Sequence, residues 1–263
     1  MGRLLHAHST ETTGLITNMA RIWQGVLLLT VLAWVTAETG VLAQMPAATE
    51  AAVIPPPLTT YQGRTIARTM HYRGAEWLTR DSREQEERCS LMLANLGVRR
   101  GMKICDMGCG NGFYSVQLAQ MVGPEGQIYG VDIQPEMLAM LKQRAAAQQV
   151  QNVTAVQGTV IDPQLPPGKL DMILCVDVYH EFSHPEHMLA AMRQSLAPQG
   201  VVALVEFRAE DPKVPIKPEH KMTKAQILKE WLPNGFKLVR EFDGLPWQHL
   251  MFFGRDDAAS QDR

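Results

Sequence analysis

Ile104-Cys105-Asp106-Met107-Gly108-Cys109-Gly110-Asn111-Gly112-Phe113-Tyr114 joins an apolar run to three glycines at every second position, with an acid two residues before the first. Residues 101–105 read as a short buried strand, and the glycines after it permit a tight turn that brings backbone N–H groups close to a ligand. Residues 113–121 (FYSVQLAQM) then read as a helix whose N-terminus faces that ligand.

The spacing of the glycines discriminates between ligands. A dinucleotide fingerprint, G-x-G-x-x-G, counted from Gly108 and Gly110 needs a glycine at 113, where this chain has Phe113. The pattern is D-x-G-x-G-x-G instead, and it resembles the S-adenosylmethionine (SAM) loop of the class I methyltransferases. That resemblance implies that Gly108, Gly110 and Gly112 wrap the methionine part of SAM and that Asp106 helps orient it. Cys109, inside the loop, is placed to touch ligand through its backbone. Glycine-rich strand-to-helix turns also serve as plain structural corners.

Before the loop, residues 25–35 (GVLLLTVLAWV) form an apolar run with Arg21 ahead of it and Val41, Leu42 and Ala43 behind it. This reads as a secretory signal peptide with a start at Met19 and cleavage after Ala43, so the expectation is an exported, periplasmic or secreted chain. The run is about half of the ~20 apolar residues that a spanning helix needs, so a stable membrane anchor is not expected. A Pro-rich linker (44–60, with Ile54-Pro55-Pro56-Pro57) and a segment read as a helical cap (61–97) follow. Within that cap, Asp81 or Ser82 suits a helix N-cap ahead of Glu84 and Gln85.

With 46% hydrophobic and 20% charged residues over 263 positions, the chain fits a globular protein. Its formal charge of −2 and the lack of a basic stripe argue against a nucleic-acid partner. The four cysteines do not make a disulfide framework, and without a C-x-x-C or a His/Cys cluster at ligand spacing no metal is expected.

Beyond the loop, strand-like segments at 126–131, 153–156, 171–176 and 201–207 alternate with helical ones at 135–148, 185–196 and 224–231. Alternation of this kind means a doubly wound α/β fold, a mostly parallel sheet covered on both faces. The last two strands, 236–242 and 250–253, have no helix between them and should close the sheet as an antiparallel hairpin. The succession resembles the seven-stranded class I methyltransferase fold over roughly residues 98–254, leaving 255–263 as a polar tail.

Asp132 ends the second strand at a distance from the glycine loop that suits an acid accepting from both ribose hydroxyls. The resemblance assigns it that role, with Ile133 against the adenine; a helix N-cap ahead of Pro135 is a compatible alternative. After the third strand, many relatives carry an acid next to the glycine, whereas this chain has Gly158-Thr159-Val160, whose backbone groups would meet the adenine instead. Asp162 before Pro163 reads as a turn residue.

Methyl transfer from a sulfonium is an in-line displacement, so the protein must align donor and acceptor and exclude water. A base helps when the acceptor is a hydroxyl or thiol. Ligands of open α/β sheets lie beyond the carboxyl ends of the strands, and the fourth strand ends in Val176-Asp177-Val178-Tyr179-His180-Glu181. Asp177, Tyr179 and His180 are therefore the candidate catalytic residues, with His180 as base. The duller account packs Tyr179 under the loop and has His180 and Glu181 cap the next helix, and a resemblance to certain metal-dependent O-methyltransferases, which place an aspartate at this strand end, keeps a cation at Asp177 as a minor alternative. His220 and Lys221 follow a Pro-rich stretch after the fifth strand and read as part of a solvated charged loop, with a lid over the pocket as the alternative. Tyr72, Arg73 and Trp77 could close the acceptor pocket from the cap, and Pro246-Trp247-Gln248-His249 sits in the final turn.

The leading expectation is thus a SAM-dependent methyltransferase acting on a small or lipid-like acceptor. A non-catalytic SAM-binding protein competes, as does, more weakly, an NAD-dependent oxidoreductase. The acceptor and the oligomeric state are not legible in these residues.

Overall fold

The computed structural model describes residues 54–257, so the proposed signal peptide, the first part of the linker and most of the polar tail lie outside the described residues. No helix among the described residues is long and apolar enough to cross a membrane.

The segment expected to be a helical cap begins differently. Two short strands, β1 (Thr60–Tyr61) and β2 (Arg64–Thr65), pair antiparallel. Gln62 and Gly63 between them both take positive φ, 51° and 97°, the condition for a two-residue hairpin. A 3₁₀ stretch over Tyr72–Thr79 follows, capped by His71 Nδ1, which accepts from the Arg73 N–H. Helices α1 (Arg83–Glu87) and α2 (Cys89–Asn95) are separated by Arg88 at φ 52°. Ser82 does occupy the N-cap position of α1, but its side chain makes no capping bond.

The sheet then builds as the alternation requires: β3 (Lys103–Met107), α3 (Phe113–Val122), β4 (Gln127–Asp132), α4 (Pro135–Ala147), β5 (Val153–Gln157) and β6 (Leu170–Val176). After a 3₁₀ turn at Tyr179–Glu181 come α5 (Pro185–Ser195), β7 (Leu196–Arg208), a 3₁₀ turn at Pro218–His220, β8 (Lys221–Met222), α6 (Lys224–Trp231), β9 (Phe236–Phe242) and β10 (Gln248–Arg255). Thr223 caps α6 by accepting from the Gln226 N–H at 3.0 Å, while α4 and α5 start on prolines, whose missing N–H costs nothing there.

Strand order is β5-β4-β3-β6-β7-β10-β9, with β3 through β7 parallel and β10 antiparallel to both its neighbours. The closing hairpin forms as expected, but its second strand inserts beside β7 and leaves β9 at the edge. Burial explains the choice: all but the last residue of β10 are buried, whereas β9 carries exposed Lys237, Arg240 and Glu241, charges that suit an edge. The two-residue β8 was not foreseen. It pairs with Phe207 and Arg208 on β7, past Val205, the last β7 residue that β6 pairs with, and so brings the stretch 209–222 over the carboxyl ends of the strands.

On one face of the sheet Trp231 is fully buried against Tyr179, Phe236 and Phe253, with ring centroids 5.1, 4.9 and 4.7 Å away. Each such large apolar side chain stabilises the fold by about 2–3 kcal/mol over leaving it in water. Arg64 from β2 reaches the same region, forking onto both oxygens of the fully buried Glu230 at 2.7 and 3.1 Å. A buried carboxylate left unpaired is costly, so this fork fixes the N-terminal segment to α6.

Candidate active site

β3 sits between β4 and β6, so the connections leave it in opposite directions and open a crevice at its carboxyl end. A cavity of about 590 Å³ occupies that crevice, walled by parts of the 68–87 segment, the ends of β3, β4 and β6, and residues 215–217 with His220.

The glycine loop forms one wall. Gly108 lies at φ 65°, and a Cβ there would fall 2.3 Å from Val178 Cγ2, so only glycine lets the loop and the β6 end approach. Gly112 serves packing: at φ 80° it is the N-cap of α3, and a Cβ would meet Leu141 Cδ1 at 2.4 Å. It is not on the cavity wall, whereas Gly108 and Gly110 are.

Asp132 ties this loop to the next element. One carboxylate oxygen accepts from the Gly110 N–H at 3.0 Å and the other from the Gln134 N–H at 2.9 Å. Each oxygen retains acceptor capacity, and the side chain borders the cavity, so two ribose hydroxyls have acceptors here. Burial pushes its carboxyl up, against the pull of those backbone donors. The N-cap position itself falls to Gln134, whose amide bridges the Met70 carbonyl and the Tyr72 N–H and so pins the N-terminal segment across the pocket. Ile133, Thr159 and Val160 also line the cavity, with Ile133 37% exposed as an apolar platform.

Three donor-side residues sit elsewhere. Cys109 spends its N–H on the Val131 carbonyl at 2.9 Å and buries its side chain against Leu138 and Leu141, so its backbone donor is not free for a ligand. Gly158 gives its N–H to the Asp132 carbonyl and stands behind the wall. Asp106 is buried with one oxygen accepting from Ser115 Oγ at 2.5 Å, facing α3 rather than the cavity. Asp162, as expected, makes a turn, accepting from the Gln164 N–H.

Burial pushes the Asp106 carboxyl up to about 6 from its ordinary 3.8, with the Ser115 hydroxyl opposing. Between about pH 4 and 6 the folded protein therefore holds a proton that the unfolded chain has released, and this group's contribution to stability falls as pH rises through that window. Asp106→Asn is expected to stabilise the fold at pH 8 by about 1–2 kcal/mol and to flatten the curve across that window. Urea melts at pH 4.5 and 8 read this directly; an Asn variant less stable at pH 8 contradicts it.

At the other end of the cavity Asp177 sits at φ 50°, an uncommon angle for a residue with a side chain. Gln248 Nε2 donates to its Oδ2 at 2.7 Å, while Oδ1 is buried with no partner among the described residues. Burial, with the nearby carboxylates of Glu87 and Glu206, pushes this acid well up. Tyr179, expected in the site, is not there: its hydroxyl donates to Glu230 at 2.7 Å and its ring packs on Trp231, because the 3₁₀ turn directs it into the core. The packing account is the right one for this residue.

His180 is buried and borders the cavity. Its Nδ1 lies 2.6 Å from Glu206 Oε2, its backbone N–H donates to Glu206 Oε1, and its Nε2 lies 3.0 Å from Nδ1 of His220. Burial pulls the imidazole's pKa down, but the Glu206 carboxylate outweighs that and leaves it raised. His220 moves the other way, lowered by burial and by the charge on His180. The three side chains form a chain from a buried carboxylate to a cavity-lining histidine, along which a proton taken from a bound hydroxyl can pass to His180 and be held by Glu206.

His220 thus lines the pocket, while Lys221 turns its Nζ to the Val214 carbonyl. Trp77 lines the cavity with Arg80 3.7 Å over its ring, but Tyr72 and Arg73 do not. Arg83 and Glu87, paired at 2.8 Å, also line it and were not foreseen.

A cradle that a Cβ would fill, an acid with spare acceptor capacity and a volume within the usual range of about 300–1,000 Å³ together fit SAM. A family model described as a methyltransferase domain matches residues 99–251. Demethylmenaquinone methyltransferase of Geobacillus stearothermophilus is 26% identical over 115 residues, 44% of this chain and 49% of the relative, so the match spans about half of that protein. The Staphylococcus aureus (strain JH9) enzyme of that name is 28% identical over 172 residues, 63% of this chain and 68% of the relative. The solved structure of a SAM dependent methyltransferase from Aquifex aeolicus shares the fold, with TM-score 0.66 and 22% identity over 70% of this chain and 98% of that one. A [4+2]-cyclase shares it more distantly, at TM-score 0.51 and 19% identity over 59% of this chain and 57% of that one. The family match alone covers more than half of the residues, and the protein accordingly belongs to the class I SAM-dependent methyltransferases, with S-adenosylmethionine as its methyl donor.

Proposed function

We propose that the protein methylates a small, largely apolar acceptor bearing a hydroxyl or an acidic ring C–H, of the reduced-quinone kind. The observation that carries this is one cavity lined both by Gly108 and Asp132 and by His180 and His220, with Glu206 behind His180 and with Val178, Phe182, Met188 and Phe207 in the apolar part of the wall. SAM bound at the first end supplies an electrophilic methyl group. Asp132 and the glycine loop hold the donor, the N-terminal segment pinned by Gln134 limits access of water, and His220 with His180 takes the proton from the acceptor. The demethylmenaquinone methyltransferases among its relatives support an apolar ring acceptor.

Incubation with SAM and a panel of reduced demethylated quinones, catechols and polar hydroxyl compounds, read by mass spectrometry, tests it. Turnover confined to apolar ring acceptors is expected; turnover only with polar compounds, or SAM binding without turnover on any of them, argues against it. The same reading includes export, supported by the apolar run at 25–35. The intact mass of the chain isolated from its own host should correspond to a start near Gln44, and a cytosolic chain retaining residues 19–43 contradicts that.

A further inference from the structure

His180 and Glu181 end the turn after β6, and His220 ends the turn before β8, forty positions along the chain. No sequence spacing announces them as a set, yet the fold brings a nitrogen of each histidine and a carboxylate oxygen of Glu181 within 4.8 Å of one another. We propose that these three residues form a site for one divalent transition-metal ion of the zinc type, open toward the acceptor end of the cavity.

The geometry carries this in three ways. Metal–ligand bonds of about 2.0–2.2 Å place neighbouring ligand atoms about 2.8–3.6 Å apart, from octahedral to tetrahedral angles, and His180 Nε2 lies 3.0 Å from His220 Nδ1. Those two nitrogens can share one proton or one ion. Second, Glu206 clamps His180 from behind through Nδ1 at 2.6 Å and through its backbone N–H at 3.2 Å. A carboxylate on the far nitrogen is the usual outer partner of a ligating histidine, because it fixes the tautomer that leaves Nε2 free. Third, this part of the cavity gathers several acids, with Arg68 and Lys217 also on its wall. Asp177 has a buried unpartnered oxygen, Glu181 borders the cavity, and Glu206 is fully buried, while Arg64 is engaged by Glu230 and Arg83 by Glu87.

Two imidazoles and one carboxylate favour zinc, manganese or iron(II) over magnesium or calcium, which take oxygen ligands. Three protein ligands also leave positions for an exogenous oxygen, the mark of a catalytic rather than a structural ion. In the role that rests on the proposed methyl transfer, the ion takes the place of the proton shared by the two histidines, binds and orients the acceptor oxygen and lowers its pKa, so that the hydroxyl proton leaves to water rather than to His180. The site itself does not depend on the identity of the acceptor.

The test uses the whole protein after chelation and dialysis, titrated by calorimetry with zinc chloride and by visible absorption with cobalt(II) chloride. One equivalent of zinc and the absorption bands of nitrogen-bound cobalt are expected, with no binding of magnesium chloride. His220→Ala and Glu181→Gln should each weaken zinc by at least tenfold and change the cobalt bands. Glu206→Gln, acting through His180, should weaken zinc by about 10–100-fold. His220 is partly exposed, so its variant keeps the core intact, and unchanged SAM binding in that variant certifies the fold. No stoichiometric zinc in the parent protein, or His220→Ala binding zinc as tightly as the parent, overturns the site whether or not methyl transfer is found.

Discussion

Asp132→Ala should weaken SAM binding by a hundredfold or more, the largest effect expected of any single change on the donor side. The carboxylate is the one cavity group placed to accept from two hydroxyls at once while its backbone donors, Gly110 and Gln134, hold it still. A hydrogen bond to a charged group contributes about 1.5–3 kcal/mol, and two such bonds amount to a factor of about 10²–10⁴. The alanine also frees the Gly110 N–H and loosens the loop, so part of the loss is organisational. Asp132→Asn separates the two contributions, since it keeps the volume and one acceptor oxygen; a loss of about tenfold is expected. Calorimetric titration with SAM and S-adenosylhomocysteine reads both variants, with melting temperature as the control. A dissociation constant within threefold of the parent's for the alanine variant removes Asp132 from the ribose site.

Glu206→Gln should slow methyl transfer by about 10²–10³-fold while leaving SAM affinity unchanged, as general-base assistance of about 10²–10⁴-fold would imply. Glu206 lies on β7 beneath His180 and is not itself on the cavity wall, so it acts through the imidazole as a positioning residue. A glutamine amide turned toward Nδ1 reverses the hydrogen bond and moves the ring proton to Nε2, the atom that faces His220. Both the proton acceptor and its outward relay are then lost. Initial rates at saturating SAM, with a pH–rate profile for parent and variant, check this. A variant whose rate falls only in step with its melting temperature and SAM affinity would make Glu206 a purely structural residue.

The strands and helices from 103 onward, β8 apart, are legible because each apolar run is short, continuous and bounded by Gly, Pro or a polar end. The slot of β10 is also written in its residues, since Leu250-Met251-Phe252-Phe253 is apolar on both faces and β9 is not. The hairpin at 60–65 escapes because two-residue strands carry no periodicity, and its turn is built on Gln62 rather than an Asn-Gly pair. Tyr179 misleads because in a 3₁₀ turn three successive side chains point in three directions, so His180 and Glu181 reach the cavity while Tyr179 enters the core. On the donor side the same holds for Asp106, Cys109 and Gly112, which support the loop from behind while Gly108 and Gly110 face the cavity. Pairing of His180 with His220 depends on β8, a contact between distant segments that no local pattern encodes.

The most direct test of the account is the crystal structure of the protein with S-adenosylhomocysteine. The ribose hydroxyls should lie on the Asp132 carboxylate, the adenine against Ile133, and the sulfur should face the end of the cavity held by His180 and His220. A ribose bound away from Asp132, or a sulfur turned away from the two histidines, would contradict it.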